Sequence, residues 1–155
     1  MDTNARQLSK HFSLYEMIRS ETAARKEIDN TPPGELVPKL RDICVQILEA
    51  VRLHYGVPIR PNSGYRSPEL NKAVGGSAKS QHCKGEAVDI EIAGVSNYEL
   101  AAWIKDNLIF DQLILECYTP GIPESGWVHV SYKAGANRNR VMTYSNRVYQ
   151  PGLMA

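Results

Sequence analysis

Ser80-Gln81-His82-Cys83-Lys84-Gly85-Glu86-Ala87-Val88-Asp89-Ile90-Glu91-Ile92 is the stretch from which the fold and the chemistry of this chain are both read. Its second half alternates. Val88, Ile90 and Ile92 fall on one face of an extended chain and Ala87, Asp89 and Glu91 on the other, the period-two pattern of a strand with one buried face. Its first half, ending in Gly85, reads as a turn leading directly into that strand. The step from His82 to Asp89 is not helical, and it suits one ligand on a loop rim with another on the adjoining strand. A carboxylate in the middle of an apolar alternation needs a partner to offset its burial. That partner is either a metal ion or a cation such as Arg66 or Lys84.

Further along, Trp127-Val128-His129-Val130-Ser131-Tyr132 alternates again, with Val128 and Val130 facing a core and Trp127, His129 and Ser131 facing away. The valines set the register, because a one-residue slip would bury the histidine and expose them. Asp111 to Cys117 is a third strand, in which Glu116 shares a face with Ile114. Zinc hydrolases commonly use three protein ligands and leave a fourth position for water or substrate. His82, Asp89 and His129 offer such a mixed nitrogen and oxygen set.

The preceding sequence is helical. Leu40, Ile43, Cys44, Ile47, Leu48 and Val51 recur at three and four across Glu35 to Tyr55, ended by Gly56 and Pro58. Ser13 with Glu16 forms a capping box for a helix expected to run through Glu27, before Asn30-Thr31-Pro32-Pro33-Gly34 interrupts it. Ser67 and Pro68 open a short helix to about Val74, and Ser96 with Glu99 caps another carrying Leu100, Trp103, Ile104 and Leu108. Helices before a small, mainly antiparallel sheet define an α+β domain. The expected organisation is one domain over 1–155, with 134–155 a polar C-terminal extension in which Val141 to Tyr144 pairs as an edge strand.

Composition narrows the function. Apolar residues make up 43% and charged residues 23%, as in an ordinary globular protein, and 18 Lys and Arg balance 17 Asp and Glu. That balance gives no general electrostatic reason to expect nucleic-acid binding. No run of apolar residues is long enough for membrane insertion, and Met1-Asp2-Thr3-Asn4 lacks the basic and apolar regions of a signal peptide. Synthesis in the cytoplasm, as a monomer, is the expectation. Cys44, Cys83 and Cys117 show no CxxC spacing, and Cys44 and Cys117 read as buried free thiols. The chain has neither HExxH nor G-x-S-x-G.

Four pieces together resemble the zinc D-Ala-D-Ala carboxypeptidases and phage peptidoglycan endopeptidases, whose short branch shares the Hedgehog/DD-peptidase fold. They are Ser63-Gly64-Tyr65-Arg66-Ser67, Asn71 through Gly75-Gly76, Ser80-Gln81-His82 with Gly85, Ala87 and Asp89, and Trp127-Val128-His129-Val130-Ser131. The resemblance spans about Phe12 to Tyr132. It implies zinc (Zn2+) held by His82, Asp89 and His129, and peptidoglycan stem peptides as the partner. It also implies a carboxylate base shortly before the last histidine, which takes the proton of the attacking water and hands it to the leaving amine.

Glu116 is favoured for that base, with Glu124 as the alternative in a Pro- and Gly-rich loop. The family's acid three residues before the histidine is absent, since that position is Gly126. Arg66 is expected to clamp a substrate carboxylate, or else to pair with Asp89 or Glu86. Ser80 and Gln81 are expected to hydrogen-bond the peptide, Ser131 to do so or to orient His129, and Tyr65 and Trp127 to line the cleft.

The activity this implies is phage-type lytic endopeptidase, reaching the wall through a membrane pore or as a virion component. A D-Ala-D-Ala carboxypeptidase or dipeptidase is the first alternative. The second, from another class, is a non-catalytic zinc-containing peptide-binding or virion structural module.

Overall fold

Residues 6–154 are described by a computed structural model, and the opening Met1-Asp2-Thr3-Asn4 read above for its lack of a signal peptide lies outside them. No helix among the described residues is long and apolar enough to cross a membrane. The architecture is α+β, with helices packed against a small mixed, mainly antiparallel sheet.

The capping box forms as its residues dictate: Ser13 Oγ accepts from the Glu16 N–H, and Glu16 Oε1 accepts from the Ser13 N–H. Helix α1 (Leu14–Ile18) is shorter than expected, however. Arg19 turns extended, and Ser20 starts helix α2 (Glu21–Arg25) by accepting the Ala23 N–H. A serine hydroxyl that can cap a new helix competes with continuation of the old one. The break frees backbone carbonyls at the end of α1, and the site loops use them.

The Glu35–Tyr55 expectation holds as one continuous helical column. A 3₁₀ turn (Gly34–Leu36) leads into α3 (Val37–Ile43), a π turn (Cys44–Leu48) and α4 (Glu49–Tyr55), which Gly56 closes at φ +69°. Leu40, Ile43, Cys44, Ile47, Leu48 and Val51 are all fully buried. Burying each of the Leu, Ile and Val side chains stabilises the fold by roughly 1.5–3 kcal/mol, so this stripe anchors the core. Ser67 caps α5 (Pro68–Ala73) and Ser96 caps α6 (Asn97–Asn107).

The sheet has strands β1 (Ala87–Ile90), β2 (Gln112–Glu116), β3 (Trp127–Ser131), β4 (Arg140–Ser145) and β5 (Val148–Pro151), in the order β1-β3-β2-β4-β5. Only the β2–β4 pairing is parallel. Val88, Ile90, Leu113, Leu115, Val128 and Val130 form its fully buried face, within the same core as the helical column. The opposite face carries the site.

Two expectations fail here. Val141 to Tyr144 is not an edge strand: β4 lies inside the sheet beside β2, and β5 forms the edge. Asn146 (φ 52°) and Arg147 (φ 63°) are both left-handed, which makes the two-residue turn that matches hairpin twist. Cys117 is exposed rather than buried, because the chain leaves β2 there at φ 56°, while Cys44 is buried.

Candidate metal centre

Strand register assembles the site. Asp89 on β1 and Ile114 on β2 both stand opposite His129 on β3, and one row along the same face Glu116 stands opposite Trp127. Continuing outward, Tyr144 on β4 is opposite Glu116 and Tyr149 on β5 is opposite Tyr144. His82 arrives from outside the sheet on a short 3₁₀ turn (Gln81–Lys84), capped by Ser80 and closed by left-handed Gly85.

The three expected ligands converge, each offering a donor atom within 4.8 Å of the others. Asp89 Oδ1 lies 3.2 Å from His82 Nε2 and 3.1 Å from His129 Nδ1. Two donors about 2.0–2.1 Å from one tetrahedral zinc ion stand roughly 3.3 Å apart, so this spacing fits that ion. The other nitrogen of His82 is already committed. Its Nδ1 lies 2.7 Å from the Gly64 carbonyl, which can only accept, so the proton sits on Nδ1 and the Nε2 lone pair faces the centre.

Electrostatics agree with that assignment. Burial holds His82 below the ordinary imidazole pKa despite the opposing Asp89 charge, leaving the ring neutral and able to ligate. Burial alone would raise Asp89, but the two imidazoles beside it, at 3.2 and 3.1 Å from Oδ1, outweigh burial and hold its pKa below the ordinary carboxylate range. Cys83, adjacent to His82, is outside the cluster.

Glu116 lines the same cleft of about 690 Å³ as the three ligands. Burial pushes its pKa above that of a free glutamate, and Asp89 adds to the rise, while His129 and the Trp127 indole N–H act against it. That indole nitrogen is buried without a well-formed hydrogen bond. Glu124 is exposed and lines a different depression, with Glu91 and Asn97.

Arg66 faces the cleft without an ion pair among the described residues. Glu86 is taken by Lys39 at 3.4 Å, and neither it nor Asp89 meets the guanidinium, whose Nε is buried and unpartnered. Its backbone N–H donates to the His82 carbonyl at 3.1 Å, which ties this loop to the first ligand.

Other expected contacts are placed differently. Ser80 lines the cleft, but its hydroxyl accepts the His82 N–H at 3.2 Å. Gln81 also lines it, with Nε2 donated to buried Asp111 at 2.8 Å and Oε1 left free. Ser131 is fully buried and accepts the Gln112 N–H at 2.9 Å, so it serves the sheet and does not contact His129. Tyr65 is 4% exposed and packs in the core, where it also lines an adjoining cavity that shares Arg66 and Asp89 with the cleft, and Trp127 lines the cleft itself.

Three contributors were not anticipated. Tyr144 and Tyr149 wall the cleft from the tail, and the hairpin turn that brings them there was masked by Arg147. Asn30 is the third. Its Nδ2 donates to the Ile18 and Tyr65 carbonyls at 2.7 and 3.0 Å, and its Oδ1 accepts the Ser67 N–H at 2.7 Å. It therefore clamps the Arg66 loop onto the end of α1. A buried side chain in a turn otherwise dominated by prolines carried no pattern that pointed to this.

Two imidazoles and one carboxylate around a common point, open to a cleft with a raised-pKa glutamate beside it, define the active centre of a zinc metallopeptidase. The chain belongs to the Peptidase M15 family, whose profile matches residues 10–131. Membership carries with it the zinc-binding fold of the DD-carboxypeptidase and endopeptidase superfamily and a peptidoglycan-related peptide as substrate class. No curated protein sequence matches the chain significantly.

Proposed function

We propose that this protein is a zinc-dependent endopeptidase of phage lytic type, cutting within peptidoglycan stem peptides, with Glu116 as general base and Arg66 as substrate clamp. The observation that carries the proposal is Glu116 itself. It stands on the strand next to His129, on the same face and one row away, inside the cleft that the ligands floor. A bound zinc ion would supply Lewis-acid polarisation and acidify the attacking water. Glu116 would take that water's proton and return it to the leaving amine, a role favoured by a carboxylate whose pKa has been raised toward the working pH. Arg66 offers an uncommitted planar donor set to a substrate carboxylate or carbonyl.

Cleavage inside a chain, in preference to removal of a terminal residue, is supported by the cleft's extent. A second cavity of about 550 Å³ shares Arg66, Val74 and Asp89 with the first, so concave surface continues on both sides of the ligands. Since the wall lies outside the membrane, the proposed lytic function includes delivery to it, by a lysis pore or on a virion.

Digestion of purified peptidoglycan with mass spectrometry of the fragments tests the proposal. Glu116→Gln should lose about 10²- to 10⁴-fold in turnover while keeping its zinc, with Glu124→Gln close to wild type. Fragments lacking only a terminal residue would favour the carboxypeptidase, and zinc-loaded protein that leaves the wall intact would favour the non-catalytic module.

A further inference from the structure

The second cavity is not merely an extension of the first. Its wall carries three guanidinium groups, Arg19, Arg60 and Arg66, against Glu21 and the ligand Asp89 as its only acids. None of the three arginines makes an ion pair among the described residues. By contrast, Arg138 elsewhere in the molecule is engaged by Asp111. Three unpaired cations along one concave wall produce a local positive potential in a chain whose net charge is only +1.

The backbone that presents them is fixed. The Arg19 N–H donates to the Tyr15 carbonyl where α1 ends. Arg60 lies between buried Ile59 and buried Pro61, and the next residue, Asn62, donates its N–H to the Asp89 carbonyl at 2.8 Å. The Arg60 segment is therefore hydrogen-bonded to the backbone of the metal-ligand strand itself.

From this geometry we infer that the arm is a carboxylate-binding subsite, with Arg19 and Arg60 as specificity-determining residues that select peptides bearing a free carboxylate near the cut bond. The inference rests on the peptidase function proposed above and adds the chemistry of the substrate segment on one side of the centre. Guanidinium forks suit carboxylates because two parallel N–H groups match two oxygens. The carboxylate is either an acidic side chain or a chain end, and these are separable.

The test uses one peptide sequence in forms whose acidic side chain is free or amidated and whose C-terminus is free or amidated, with kcat/KM measured for each on the zinc-loaded protein. Free carboxylate at one of the two positions should raise kcat/KM on the order of tenfold to a hundredfold over its amide, and which position does so identifies the source. In Arg19→Ala/Arg60→Ala that ratio should fall toward one, with Arg19→Lys/Arg60→Lys recovering part of it. Binding of the same labelled peptides to the Glu116→Gln protein repeats the comparison without turnover, so a failed catalytic proposal and a failed subsite give different results. Equal handling of all forms by the wild type, in rate and in binding, or a ratio that survives in the double alanine variant, would overturn the inference.

Discussion

Gly126 lies directly against the carbonyl of Glu116, at φ +67°, with the Cys117 and Tyr118 backbone next nearest. A side chain at that position would collide with the strand it faces. This explains why the acid that the family resemblance places three residues before the last histidine is missing here. The hairpin from β2 to β3 closes so tightly at this point that only glycine fits, while Glu116 on the opposing strand lines the cleft.

Gly126→Asp is therefore expected to disrupt the hairpin and not to supply a second base. It should destabilise the fold by about 2 kcal/mol or more, from left-handed strain and backbone overlap, and it should lower peptidase activity. Thermal denaturation alongside the peptidoglycan assay checks this. A variant with wild-type stability and higher activity would contradict the packing described.

The pH dependence follows from the sign of the Glu116 shift. Burial and Asp89 raise its pKa above the ordinary 4.5, and the base form is the deprotonated one. The acid limb of kcat/KM should therefore bend at a pH above that of an unperturbed glutamate, with activity lost as pH falls through it. Glu116→Gln, which has no group to titrate at that position, should lose this limb from its residual activity. A limb that stays in place in this variant would separate it from Glu116.

Much of this centre was legible because strands and turns write their periods into sequence. The valines flanking His129 dictated its orientation, and the apolar alternation around Asp89 identified it as the exceptional residue. The helical column of Leu40 to Val51 was equally plain. What escaped were relationships that carry no period. The helix break at Arg19 depends on Ser20 capping a new helix, and the inward position of β4 depends on a parallel pairing across the chain. Ser131 reads like a cleft residue by alternation, yet its hydroxyl is used by the Gln112 backbone. The clamp formed by Asn30 joins three segments distant in sequence, and nothing local marks it.

That clamp yields a prediction in its own right. Asn30→Ala would leave the Ile18 and Tyr65 carbonyls and the Ser67 N–H without their partner in a buried setting. Loss of stability of about 1–3 kcal/mol is expected. Activity should fall beyond what unfolding explains, because the Arg66 loop, tied to His82 through its backbone, loses its support. Thermal denaturation and steady-state kinetics on the folded fraction distinguish the two effects, and unchanged kcat/KM in that fraction would remove Asn30 from the positioning of Arg66.

Asp111 links the tail to the metal loop, and its linkage to pH has a definite sign. It is fully buried, accepts from Arg138 Nε and a second guanidinium nitrogen at 2.8 and 2.9 Å, and accepts from Gln81, the neighbour of His82. The Arg138 hydrogen bonds, with help from Gln81, hold its pKa down to about 2. A carboxylate depressed in the folded state contributes stability that is fully present above its unfolded value of about 3.9 and is lost as pH falls through the folded value. Wild-type stability should therefore drop between about pH 4 and pH 2. Asp111→Asn should be less stable at neutral pH by about 1–3 kcal/mol, at the modest end because half-exposed Arg138 regains water. The variant should also show a shallower decline over that acid range. Because an amide leaves only one acceptor oxygen for Arg138 and Gln81 to share, the hold on Gln81 beside His82 loosens, and zinc affinity measured by chelator competition should weaken as well. Denaturation across pH with an unchanged acid slope would show that Asp111 is not the group responsible.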